Sequence, residues 1–124
     1  KGIFGMELMV ELEELGVDVK EGLGRVLGDE SLYRTMLGMF VDIVEKNPVQ
    51  EEDFDCESCE ELIGRVHMLK GTAGNLAIRP LFVKYTEILN LLREGRQGEA
   101  RAAFVQVGEI QDRVIDCIRR SENV

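Results

Sequence analysis

A chain of 124 residues is the size of one ordinary domain, large enough to bury a core but not two. Hydrophobic residues at 44% and charged residues at 31% place it among folded globular chains rather than disordered ones. A formal net charge of −9 excludes a broad basic footprint for nucleic acid and makes an anionic membrane surface a poor partner.

The first segment, Ile3 to Leu15, is apolar at Phe4, Leu8, Met9, Leu12 and Leu15 and reads as a short amphipathic helix ended by Gly16. Asp18 with Glu21 has the spacing of a capping box and opens a second short helix, stopped by Gly28. Asp29 can cap a third helix whose inward positions are Leu32, Tyr33, Met36, Leu37, Phe40, Ile43 and Val44. Asn47-Pro48 stops it, and Gln50 to Asp55 reads as a solvated acidic linker.

Ser58 with Glu61 has the spacing of another capping box. The helix it opens is apolar at Cys59, Leu62, Ile63, Val66, Leu69, Ala73 and Leu76. Pro80 suits the first turn of the following helix, which buries Leu81, Tyr85, Ile88 and Leu92 with Phe82 and Leu89 beside them. Gly95 stops that helix. The last runs from about Gly98 to Arg120, with Ala103, Phe104, Val107, Ile110, Val114 and Ile118 inward.

Long helices with short connections pack as antiparallel neighbours. The expected fold is therefore all-α: an antiparallel, up-down-up-down four-helix bundle over residues 17–124, with residues 1–16 as an N-terminal helical extension. That apolar extension is a candidate dimer contact, and oligomeric state is left open. No apolar run approaches the roughly 20 residues needed to span a bilayer. The N-terminus lacks a basic-then-apolar leader pattern, so a cytoplasmic protein without membrane contact is expected.

His67 is the single histidine. At about 100° per residue it falls roughly 130° from the centre of the stripe formed by Leu62, Val66, Leu69, Ala73 and Leu76, so it should face water. Gly64, Gly71 and Gly74 lie on the same outer face, at i−3, i+4 and i+7. A glycine inside a helix costs roughly 0.5–1 kcal/mol relative to alanine. Three on one stripe call for a reason, and access supplies one: a flat surface lets another protein reach the imidazole, with close helix packing the competing reading for Gly64 and Gly74. Lys70, at i+3, brings a cation into the volume a group on the ring would occupy. Met68 also points outward, beside the histidine. A neutral imidazole is nucleophilic near neutral pH, and nothing in the chain reads as a nucleotide-binding loop.

The run His67-Met68-Leu69-Lys70-Gly71-Thr72-Ala73-Gly74-Asn75-Leu76 resembles the His-x-Leu-Lys-Gly-Ser/Thr-Ala signature of histidine phosphotransfer (HPt) domains. The likeness extends over Asp18 to Leu27, Gly28-Asp29-Glu30 and Leu32-Tyr33 through Phe40, and covers roughly Val17 to Arg120. It implies a four-helix phosphorelay protein with no kinase domain or cofactor of its own. By matching position, His67 would be phosphorylated, Lys70 would assist the phosphoryl group and Gly71 would leave room for it. Gly64, Met68 and Gly74 complete the expected docking surface. The implied partners are response-regulator receiver domains, which supply the aspartate and the magnesium, and a hybrid sensor kinase. Many members carry glycine where Ala77 stands, and some carry an acid near the Leu89 position.

Cys56-Glu57-Ser58-Cys59 is the sharpest competing motif, since a C-x-x-C spacing suits redox chemistry or zinc. Zinc normally needs four ligands, and Cys117 is distant in the chain, so no metal site is expected. Three cysteines, an odd number, argue against a disulfide framework. The rival readings are a helical adaptor that docks receivers without phosphotransfer and a redox- or zinc-linked helical protein.

Overall fold

The computed structural model describes the backbone of residues 2–122 and the side chains of residues 7–122. Six helices account for most of it: α1 (Gly2–Glu14), α2 (Val19–Arg25), α3 (Glu30–Lys46), α4 (Glu60–Asn75), α5 (Arg79–Arg93) and α6 (Gln97–Glu122). A single 3-10 turn, Glu51–Phe54, interrupts the connection between α3 and α4. The described residues contain no strand, and no helix among them is long and apolar enough to cross a membrane.

The heaviest packing runs from α4 to α5 and from α5 to α6. Helix α3 closes against both α4 and α6, and α1 lies on α6. Tyr33, Leu37 and Phe40 of α3 meet Val66 and Leu69 of α4, Leu81 and Ile88 of α5, and Val107 and Ile118 of α6 in one core. Each such side chain contributes about 1.5–3 kcal/mol on burial. Leu8 and Leu12 of α1 are buried in that same core. This side of α1 is therefore used within the chain. Phe4 lies outside the residues whose side chains are described.

Helices α1, α2, α4 and α5 all end in the same way. In α4 the Ala77 N–H donates to Gly74 O at 3.1 Å and the Ile78 N–H to Ala73 O at 2.9 Å. This paired closure, the Schellman motif, needs a left-handed residue just past the helix. Gly16 (φ 95°) and Gly95 (φ 76°) supply it for α1 and α5, but Leu27 (φ 55°) and Ala77 (φ 59°) do so for α2 and α4. Left-handed backbone costs a side-chain-bearing residue about 1–2 kcal/mol, and Leu27 is 97% exposed, so no burial offsets it. Leu27→Gly relieves that strain at an unfolded-state entropy cost of about 0.4–1 kcal/mol. A net gain of about 0.5–1 kcal/mol is expected in urea unfolding, and a loss of stability would refute the strain assignment.

The helix starts differ from the sequence expectation at two places. Asp18 does cap α2, accepting from the Glu21 N–H at 3.1 Å, but the box is not reciprocal. The Asp18 N–H donates to Ala77 O, and the Glu21 carboxylate pairs with Arg25 and Arg79. Arg79 also binds Asp18, so α2 is tied to the chain leaving α4. The Glu21 N–H and Arg79 together hold the Asp18 carboxyl below its usual pKa. Ser58 is no cap at all: Cys59 occupies the N-cap of α4, without a side-chain hydrogen bond. Asp29 caps α3 as expected, accepting from the Leu32 N–H.

The acidic stretch is not a solvated linker. Phe54 within it is 2% exposed and sits 5.3 Å, centroid to centroid, from Phe104 of α6. Arg101 reaches Glu51 and Asp55, and Arg65 reaches Asp53 and Pro48 O, so both flanks are anchored. Leu32 and Phe82, expected inward or beside the core, are 45% and 38% exposed.

Candidate functional site

Helix α4 buries Leu62, Val66, Leu69 and Ala73 and turns His67 to the surface. The helical phase read from the sequence holds along its whole length. A Cβ built on Gly64 or Gly71 meets nothing within 4 Å, so the surface on both sides of His67 is open. No packing demand among the described residues explains either glycine. Gly64→Ala should therefore raise stability by about 0.5–1 kcal/mol, read from the denaturant midpoint. A drop would reveal a contact that the open surface does not show.

Gly74 differs from the other two. A Cβ there would lie 3.0–3.1 Å from two ring carbons of Phe82, so this glycine seats an α5 side chain rather than clearing the surface. The same ring carries Lys70, whose Nζ stands 5.8 Å from the centroid. Lys70 is half-buried and forms no ion pair with any carboxylate among the described residues, whereas most arginines do. An uncommitted cation, steadied by an aromatic face, thus stands one turn beyond the imidazole.

On the other shoulder of α4, Met68 is 44% exposed. A shallow apolar groove of about 190 Å³ continues from that side between α3 and α4, lined by Met36, Met39, Ile43, Thr72, Asn75 and Leu76. A more polar hollow of about 260 Å³ lies at the far end of α4, where Arg25, Arg79 and Glu21 surround Phe82 and Gly74. His67 lines neither. It stands on an open face, which suits contact with a protein surface better than enclosure of a small molecule.

No hydrogen bond reaches the His67 imidazole from the described residues. The register set by Gly74 against Phe82 puts the Leu89 level of α5 beside His67, but Leu89 is 1% exposed and belongs to the core. Below the site, the Tyr33 hydroxyl donates to Leu76 O at 2.8 Å and pins the last turn of α4 from beneath. Burial pushes the Tyr33 phenol up to about 12. Ala77 takes the left-handed backbone that glycine adopts most easily, at the position where the resemblance expects glycine.

The cysteines depart from expectation. Cys56 and Cys59 form a disulfide, while Cys117 is free and buried in α6. The odd count misled because the third thiol belongs to the core. Comparison with known protein families, with characterised proteins and with solved structures gives no match.

Proposed function

We propose that this chain is a phosphohistidine carrier: His67 takes a phosphoryl group from a receiver-domain aspartate and passes it to another receiver. In this reading α3, α4, α5 and α6 form an antiparallel four-helix bundle in the cytoplasm, with α1 and α2 closing one side. The observation that carries it is the combination on α4: an exposed imidazole, open surface at Gly64 and Gly71, and, one turn away, Lys70, which pairs with no carboxylate among the described residues.

The step is a displacement at phosphorus. A ring nitrogen of His67 attacks the receiver's aspartyl phosphate, an N–P bond forms, the P–O bond breaks, and the aspartate leaves as a carboxylate. Lys70 then stabilises the charge on the phosphoryl oxygens. The receiver supplies the aspartate and the magnesium, so this chain contributes a placed nucleophile and a docking face. Met68 and the groove beside Thr72 offer apolar contact for the partner, and Gly64 and Gly71 let it approach. A hybrid sensor kinase would stand upstream.

The experiment is transfer from a radiolabelled phospho-receiver to the full chain. The expected label on the chain is lost in acid and kept in base, as a phosphoramidate is. Receiver binding without any label would replace this reading with a docking adaptor.

A further inference from the structure

We infer that Cys56 and Cys59 are an exchange-active dithiol–disulfide couple at the start of α4, reduced by small dithiols or redoxin-type proteins and re-oxidised by the corresponding disulfides. Three observations carry it. The first is asymmetry: Cys56 is half-buried and reachable, whereas Cys59 is 8% exposed and part of the core. An incoming thiolate therefore meets one sulfur only. The second is where the other sulfur sits. Cys59 is the N-cap of α4, and no side chain accepts from the first N–H groups of that helix. A thiolate released there is met by free amide donors and by the positive end of the helix. Four acids flank it, but Arg101 binds Asp55 and Arg65 binds Glu61, leaving only the solvated Glu57 and Glu60 to oppose it.

The third observation is that the bond is not the only anchor of its segment. It closes a ring between residues only three apart, the loop length that constrains an unfolded chain least. The same segment is already held by Phe54 on Phe104, by Arg101 and Arg65, and by Gln97, whose Nε2 donates to Cys56 O. The pair can open while the segment stays in place. Cys117 takes no part, since burial and the neighbouring Glu11 push its thiol up to about 12.

The exchange balances as follows. A thiolate of the small dithiol attacks Cys56 Sγ, a mixed disulfide forms, and Cys59 leaves as a thiolate that takes a proton. The second thiolate of the dithiol attacks its own sulfur in the mixed disulfide and releases Cys56. The dithiol is oxidised to its cyclic disulfide, and the protein gains two electrons and two protons.

The test uses the full folded chain in buffers of reduced and oxidised dithiothreitol, quenched with iodoacetamide and read by intact mass and peptide mapping. Opening and re-forming of the Cys56–Cys59 bond is expected with no change in helical circular dichroism. In the reduced protein, Cys56 should alkylate at least tenfold faster than Cys59, and Cys117 should stay unlabelled. Opening only together with loss of helix, or equal labelling of Cys56 and Cys59, would overturn the inference. Cys56→Ser, a near-isosteric change at the edge of the core, should abolish re-oxidation; a Cys59–Cys117 bond in that variant would also count against it. None of these readouts involves His67, so this inference and the phosphocarrier reading fail separately.

Discussion

His67→Gln should carry no acid-labile label, and Gly71→Leu should carry it far more slowly while folding more stably. Glutamine keeps the polarity and approximate reach of the imidazole but has no nucleophilic ring nitrogen, so labelling should fall to the assay background. Gly71 tests access instead of chemistry. A helical side chain covers the surface over the turn before its own Cα, so a leucine at residue 71 projects toward the ring four residues earlier. A displaced approach of about 1 Å can slow a reaction by on the order of a hundredfold. The open space at Gly71 means that nothing in the fold resists the new side chain. Leucine also favours a helix interior over glycine by roughly 0.5–1 kcal/mol. The signature is thus opposite in sign for the two measurements: a higher denaturant midpoint with transfer slowed about a hundredfold. Normal transfer in Gly71→Leu would remove the access argument, and labelled His67→Gln would remove the histidine.

Gly16→Ala should be among the most destabilising single-methyl additions in the chain. Two costs coincide. The residue closes α1 at φ 95°, where an L side chain pays about 1–2 kcal/mol or more. The added Cβ would also stand 2.8 Å from Pro80 Cγ, in the rigid ring that opens α5. Overpacking against an unyielding neighbour costs about 1–3 kcal/mol. The total is roughly 2–5 kcal/mol, a fall in melting temperature on the order of 10 °C for a chain of this size. Gly64→Ala, with the same methyl in open space, is the matched control. Equal effects at the two sites would mean that neither the backbone angle nor the proline contact decides the outcome.

Much of this molecule is written in local rules. Pro80, Asp29 and Gly95 mark a helix start, a cap and a stop where the structure has them, because each acts within one turn of the chain. The 3.6-residue period likewise turns His67 outward, because α4 keeps one phase throughout. What the sequence hid depends on partners distant in the chain. Phe54 reads as part of an acidic linker until Phe104, fifty residues on, covers it. Gly74 reads as clearance like Gly71, and only the α5 ring of Phe82 separates the two. Ser58 has the spacing of a cap, yet the N-cap position falls one residue later, on Cys59. The Glu21 carboxylate, spaced for a local box, is drawn away by Arg79, fifty-eight residues later.

The seat of Lys70 on Phe82 has an optical consequence. The chain contains no tryptophan, so Phe82→Trp would install a single indole under the ammonium group. Indole is the best aromatic partner for a cation, and its emission responds to a nearby charge. As the lysine leaves the ring for an anion arriving on α4, the emission should change. The surface beside His67 could then be followed in real time by its own light, with no label on the partner.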